Sequence, residues 1–414
     1  MTVESIAVGG AAGNTAASPI GVAKLSKMQF DGTDLTPLWR ELIGKYIHEP
    51  DDAAALLDLA VIEQLFGDRE AGCARQADAL KLCRIYRSPF PGAAPSLRLL
   101  AFAVPGDIGA NTPLEFLLEG SDVELHTLYL VPGEPIPAAV PQHDIAFVAI
   151  GEADDHRIAL DTIETLMASW PRPVLNRPDR IALLSRERLH GLLATAPALV
   201  IPATTRLDRA SLVKLGRGDV ELHALMTDAS FPLILRPVGS HAGHGLQKLD
   251  DAPALAAYLA ERPEALFYAS RFIDYRSPDG LFRKYRIVFI AGRPYACHMA
   301  TTDQWMIYYL NANMKGGAAK RVEEEQFMAR FDTDFARRHA AALAAVAERV
   351  GLDYFGIDCA ETRDGRLLIF EADIAMIVHA MDDPQIFPYK GPQMRKVFDA
   401  FRAMLRERSA KALS

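Results

Sequence analysis

The chain has 414 residues, 45 Lys plus Arg against 53 Asp plus Glu, and a net charge of −8. Half of it is hydrophobic, enough for sizeable cores, and its length predicts two to four domains rather than one. The mild acidity gives no general case for nucleic acid, the scattered cysteines Cys73, Cys83, Cys297 and Cys359 make neither a disulfide framework nor a zinc pattern, and no apolar run is long enough to span a membrane.

Residues 1–33 are rich in Gly, Ala, Ser and Thr and read as a flexible arm. No basic stretch followed by an apolar core opens the chain, so a cytoplasmic location is expected. Residues 34–92 carry helical spacing in three runs, through Trp39, Leu42 and Ile43, then Ala53 to Phe66, then Ala71 to Tyr86. The Gly67-Asp68 corner and the close Ala and Leu positions resemble a tetratricopeptide-like helical pair over one unit. This segment is expected to act as a helical cap or a homodimer surface. From 93 to 175, strands at Leu97–Val104, Val123–Val131 and Asp144–Ala149 alternate with helices, which predicts a small open α/β domain. Its loops at the strand C-termini place Asp107, Asn111 and Glu152 where ligands bind in such folds. Asn111 or Thr112 is expected to cap the helix running through Leu118.

The remaining chain, 176–406, reads as one larger α/β unit with a tail at 407–414, and about 200–275 forms a subdomain of it. A helix is expected over 180–193 and another over 212–225. The strand ending at Arg236-Pro237 runs into Gly239-Ser240-His241-Ala242-Gly243-His244-Gly245. Such a loop exposes backbone N–H groups and can wrap phosphate oxygens, or it can simply join two strands. It lacks the Gly-Lys-Ser/Thr ending of a P-loop. Arg286 lies in an apolar strand and must meet an anion. A long helix is expected over 331–350 and a last one over 394–405.

Tyr354 to Asp373 reads as a β-hairpin turning at Asp364-Gly365. If those two residues form the turn, Asp358 sits opposite Glu371, and Asp373 lies two residues along on the same face. Three carboxylates at this separation repel, so the cluster asks for a cation, and an all-oxygen set points to magnesium. The alternative is a surface hairpin with solvated acids.

Taken in order, the Gly-rich loop, the strand arginine, the Asn-x-x-Gly-Gly loop beginning at Asn313, the long helix and the hairpin acids resemble the ATP-grasp superfamily. The similarity is to its ribosomal-protein glutamate ligase and glutathione synthetase branch and covers about residues 97–406. The resemblance implies an ATP-grasp fold behind a small pre-ATP-grasp domain, with the subdomain over 200–275 as nucleotide lid. It implies an ATP-dependent ligase joining a carboxylate and an amine through an acyl phosphate, with ATP and Mg2+ as cofactors and a small molecule or peptide as substrate. Residue by residue it implies phosphate contacts at Arg188 and Arg236, catalytic contacts at Arg286, Asn313 and Arg236, and metal ligands Asp358, Glu371 and Asp373. The loop residues Ser240, His241, Gly243, His244 and Gly245 would cover the nucleotide, and Phe272, Ile273 and Asp274 would form the adenine hinge. The pattern departs from the branch where both phosphate lysines are Arg, where Asp373 replaces Asn, where Asn311 replaces Arg and where Ser270-Arg271 replaces the hinge Glu. Two other readings remain, a phosphotransferase on the same fold and an inactive nucleotide-binding scaffold.

Overall fold

A computed structural model of the chain describes residues 7–8, 16–92, 94–240, 243–308 and 311–411. His241, assigned above to the lid loop, lies outside the described residues.

Four helices lead the chain: α1 (Val22–Phe30), α2 (Thr36–His48), α3 (Ala53–Leu65) and α4 (Arg69–Leu82). The corner at Gly67-Asp68 works as expected. Gly67 takes a left-handed φ of 92°, and the Asp68 side chain accepts from Ala71 N–H to start α4. The run expected to continue to Tyr86 stops at Leu82, and Ile85–Arg87 becomes strand β1. The flexible-arm expectation is corrected from residue 16 onward. Ala17 bridges to Tyr86, and Leu25 in α1 is fully buried. The start of α1 is held by two acids from other helices. Asp58 accepts from Ile20 N–H at 2.8 Å and Gly21 N–H at 3.1 Å, and Glu115 accepts from Ala23 N–H at 2.9 Å.

Three main sheets follow. The first joins β1, β2 (Leu97–Ala103), β3 (Val123–Tyr129), β4 (Ile145–Val148) and β5 (Val174–Leu175) in the order β1-β3-β2-β4-β5, parallel except for β1. Its strands are buried almost throughout, as expected for strands covered on both faces. Helices α3 and α4 lie against it, through Gln64 to Ile108 N–H and Gln76 to Gly106 N–H. A cavity of about 120 Å³ remains between them, lined by Asp58, Gln76, Thr127 and Glu115 among others. Asn111 and Thr112 are not helix caps. Asn111 pairs with both backbone groups of Val104, and Thr112 donates to Ile374 O, because the helix itself begins only at Leu114.

The chain then passes through α5 (Arg186–Leu193) and β6 (Leu199–Val200). The expected helix over 180–193 breaks at Ser185, whose extended backbone and hydroxyl cap α5 anew. The second sheet holds β7 (Thr204–Asp208), β8 (Leu233–Pro237), β9 (Gln247–Leu249) and β10 (Leu266–Arg271), ordered β9-β8-β10-β7. The Gly-rich loop joins β8 to β9. The expected helix over 212–225 divides into Arg209–Arg217 and Leu222–Leu225, with Gly218 left-handed between them.

The third sheet holds β6, β11 (Phe282–Ile290), β12 (Arg293–Thr302), β13 (Tyr354–Glu361) and β14 (Leu367–Asp373), ordered β12-β11-β13-β14-β6. Helix α6 (Ala318–Ala329) was not foreseen. The helix expected over 331–350 is interrupted at His339, which leaves helical geometry and meets Glu361 at 2.8 Å. The final helix, α7, runs longer than expected, Lys390–Lys411. The largest buried cluster runs from the first sheet through the third, so these two share one core. No helix among the described residues is long and apolar enough to cross a membrane.

Candidate functional site

The β13–β14 hairpin brings Asp358 opposite Glu371, and Gly356 opposite Asp373. The turn is not the expected two-residue one. Thr362 and Arg366 close a three-residue loop, with Gly365 at φ 78° in its left-handed place. That shifts the register by one residue from Glu361 to Cys359, and a bulge after Asp358 shifts it back. The two irregularities cancel, so the acids meet as the simpler turn would have placed them.

The row continues across the sheet. Arg286 of β11 pairs with Asp358 on one side and with His298 of β12 on the other. Four strands therefore present His298, Arg286, Asp358 and Glu371 in line. Arg286 forks onto Asp358, Nε to Oδ1 at 2.8 Å and NH2 to Oδ2 at 3.0 Å, and Lys284 Nζ adds a bond to Oδ2 at 3.0 Å. Burial alone would raise the Asp358 carboxyl, but Arg286 and Lys284 outweigh it and hold it well below the usual range. Glu371 accepts from Arg186 of α5. Burial raises its carboxyl too, and Arg186 more than reverses this. Asp373 differs. Its carboxylate caps Ala375 N–H at 2.9 Å, and no ion pair to it appears among the described residues. Burial, then the Glu371 charge, push it up to about 6.

Asp358, Glu371 and Asp373, the expected metal ligands, lie together on one hairpin, with Asp358 and Glu371 answered by protein cations. Among the described residues no three His, Cys, Asp or Glu side chains stand together closely enough to hold an ion. Asp358 is taken up by Arg286 and Lys284. Glu371 and Asp373 still fit a metal ion, since Asp373 has only a backbone donor and Glu371 keeps part of its side chain exposed.

The second sheet supplies a matching row. Arg236, Tyr268 and Arg206 pair across β8, β10 and β7. Arg236 is 9% exposed. Burial, then the nearby Arg186, lower its guanidinium to about 10, and Glu371 is the first of the anions that oppose this. That coupling sets Arg236 near Arg186 and Glu371. The Gly-rich loop closes on Arg236, whose Nε donates to Ser240 Oγ at 3.2 Å and whose NH2 donates to Ser240 O. Gly243 and Gly245 are left-handed, and Tyr258 OH ties down Gly245 O at 2.7 Å, while His244 is exposed.

Other expected members stand differently. Arg188 donates to Ala182 O, and its neighbour Arg186 meets the acid. Asn313, expected to be catalytic, is an exposed turn residue whose side chain accepts from Gly316 N–H, because its own backbone is left-handed at φ 47°. In the hinge, Phe272 N–H already donates to Pro232 O, its ring packs on Trp305, and Ile273 joins the same small apolar cluster. Asp274, expected in the hinge, pairs with Arg363 at 3.0 Å.

Two further groups stand in or near these rows. Arg206 binds Asp154 and, at 3.2 Å, Glu187, joining the first sheet's loop to α5. Glu152, only a loop candidate in the sequence, is pushed up to about 7 by burial and the nearby Asp154, with Asp373 adding to the effect. Gly151 beside it lies close to Ala375, and a Cβ there would stand 3.3 Å from the Ala375 methyl.

No family model and no curated relative matches the chain. Among solved structures, the D-alanine–D-alanine ligase from Bacillus anthracis is 13% identical and covers 76% of this chain and 98% of that one, at a TM-score of 0.44. The RimK-domain ATP-grasp protein from Sphaerobacter thermophilus is 17% identical over 77% of this chain and 100% of its own, at 0.41. The VanG D-Ala:D-Ser ligase from Enterococcus faecalis is 13% identical over 74% and 98%, at 0.43. At these scores the likenesses carry no argument about this chain's chemistry.

Proposed function

We propose that this chain is an ATP-dependent carboxylate–amine ligase of the ATP-grasp type. The observation that carries the reading is the pair of rows, Arg236–Tyr268–Arg206 and Arg286–Asp358–Glu371, with Arg186 bound to Glu371 and close to Arg236. Arginines from two sheets and a helix, beside a glycine loop, suit a triphosphate. In this reading the second sheet, within 200–275, is the nucleotide lid, and the small sheet, 93–175, borders the acid's seat.

Glu371 and Asp373 would hold magnesium, which when bound neutralises phosphate charge. Arg236 and Arg186 bind the phosphates. Arg286 holds the acid's carboxylate, oriented by its fork onto Asp358. A carboxylate oxygen attacks the terminal phosphorus, its bond to ADP breaks, and an acyl phosphate forms. The amine then attacks the acyl carbon, the C–N bond forms, inorganic phosphate leaves and the amine proton goes to solvent or a nearby base. The closed loop keeps water from the acyl phosphate.

The test is an ATP-consumption screen of small acids, amino acids and short peptides, with and without amines. Mass spectrometry should find a product lighter than its two substrates by one water, and hydroxylamine should trap the acyl phosphate when the amine is omitted. Phosphate stably transferred to a hydroxyl would overturn the ligase reading in favour of a phosphotransferase. Folded protein that fails to bind Mg-ATP would overturn the nucleotide site altogether.

A further inference from the structure

The chemistry of the acid can be read from what surrounds Arg286 on the side away from Glu371, and the inference rests on the ligase reading above. A guanidinium has five N–H groups. In Arg286 one on Nε and one on NH2 go to Asp358, and one on NH1 goes to Ile377 O at 3.2 Å. The last bond sets Ile377 beside the guanidinium, yet Ile377 stays 39% exposed. Two residues on, the His379 ring lies 5.7 Å from Phe30 at the end of α1 and 6.4 Å from Phe116. Phe30 is 42% exposed. His379 Nδ1 accepts from Met381 N–H at 3.1 Å, which makes the ring an uncharged Nε2–H tautomer. Burial pushes it down to about 4, so it stays uncharged at neutral pH.

The other cations on this side are already committed. Lys390 lies 3.2 Å from Glu324 and 3.0 Å from Asp382, and Lys284 is bound to Asp358. A ligand anchored on Arg286 and extending toward α1 therefore meets one cation and then an apolar wall. We propose that the acid activated here is a monocarboxylate with an apolar body, aryl or alkyl, its carboxylate on Arg286 and its body along Ile377, His379 and Phe30. A second carboxylate on that body would be desolvated there without a partner. The N-terminal helix α1 thus supplies a specificity wall.

The experiment measures binding by calorimetry on the full chain with magnesium and ADP, using phenylacetate and succinate as probes. Phenylacetate should bind about ten-fold more tightly than succinate, equivalent to ~1.4 kcal/mol. Phe30→Ala and Ile377→Ala should each reduce that preference, and Phe30→Leu should largely keep it. Succinate binding as tightly as phenylacetate, or binding by neither, overturns the proposal. Hydroxylamine trapping separates the two levels. A hydroxamate from succinate alone overturns the apolar wall and leaves the ligase reading standing. A phenylacetate preference without any trapped acyl phosphate keeps the wall and overturns the ligase reading.

Discussion

Replacing Glu324 by Gln should destabilise the protein at neutral pH by about 3 kcal/mol. Glu324 sits in α6 with no exposed surface. It accepts from Tyr389 OH at 2.6 Å and Met299 N–H at 3.2 Å, and it lies 2.6 Å from His298 Nδ1 and 3.2 Å from Lys390 Nζ. One carboxylate thereby ties α6, β12 and α7 together. Burial would raise its pKa, but these partners, His298 foremost, depress it from 4.5 to about 2. A depressed carboxyl contributes stability that is complete above its unfolded value near 4.5 and is lost as pH falls toward 2. The depression corresponds to about 3 kcal/mol at neutral pH. Gln keeps the shape but presents an NH₂ where one acceptor is needed. Lys390 retains Asp382, which keeps the loss near the lower end for a broken buried pair. The assay is urea denaturation of both proteins at pH 7, pH 5 and pH 3.5. The gap should be full at pH 7, nearly full at pH 5 and smaller by roughly 1 kcal/mol at pH 3.5. Equal urea midpoints at pH 7, or a gap that does not narrow in acid, would refute the reasoning.

Three other perturbations follow from the same geometry. Asp358→Asn leaves Arg286 and Lys284 facing a neutral amide and should lower stability by about 3 kcal/mol or more, read as a fall in Tm; an unchanged Tm would show that the fork carries no weight. Glu371→Ala should leave the fold intact and weaken Mg-ATP binding at least ten-fold by calorimetry, about 1.4 kcal/mol; equal affinity would remove this acid from the site. The loop 239–246 should be cleaved by protease in the free protein and protected by a nonhydrolysable ATP analogue. Gly245→Ala should abolish that protection, since its Cβ would stand 2.7 Å from Pro237 Cδ at a left-handed φ of 67°. Protection that survives the substitution would argue against a closing lid.

Local signals in the sequence were reliable where one stretch decides the outcome. Gly67-Asp68 ends one helix and caps the next, and the hairpin acids face each other. The acids did so for a reason the sequence hides, since a longer turn and a bulge compensate, and a bulge leaves no composition mark at Asp358 or Cys359. Arg186 could have been found, because once Ser185 is read as an N-cap the helix phase changes and Arg186 begins it. Spacing shows that the hairpin carboxylates share a face but not which cations from β11 reach them. The Glu324 network joins residues from α6, β12 and α7 and had no local signature. Nor did α1, which is only nine residues long after a Gly- and Ala-rich stretch, and whose start is fixed by acids elsewhere in the chain.

Those two acids set a practical boundary on the molecule. Both raised carboxyls, Asp58 at about 6 and Glu115 above its usual value, are displaced first of all by burial, and the N–H groups at the start of α1 are what oppose it. Trimming the chain at residue 33, where composition invites a cut, would take away the donors of Ile20, Gly21 and Ala23. Asp58 would then keep no backbone donor and Glu115 only Ser88, at 2.8 Å, beside an opened cavity. Water would enter there, α3 would lose the cover that Leu25 gives it, and Phe30 would go with the deleted segment. On the proposed reading, a shortened protein that folds around its third sheet would lose its preference for an apolar acid.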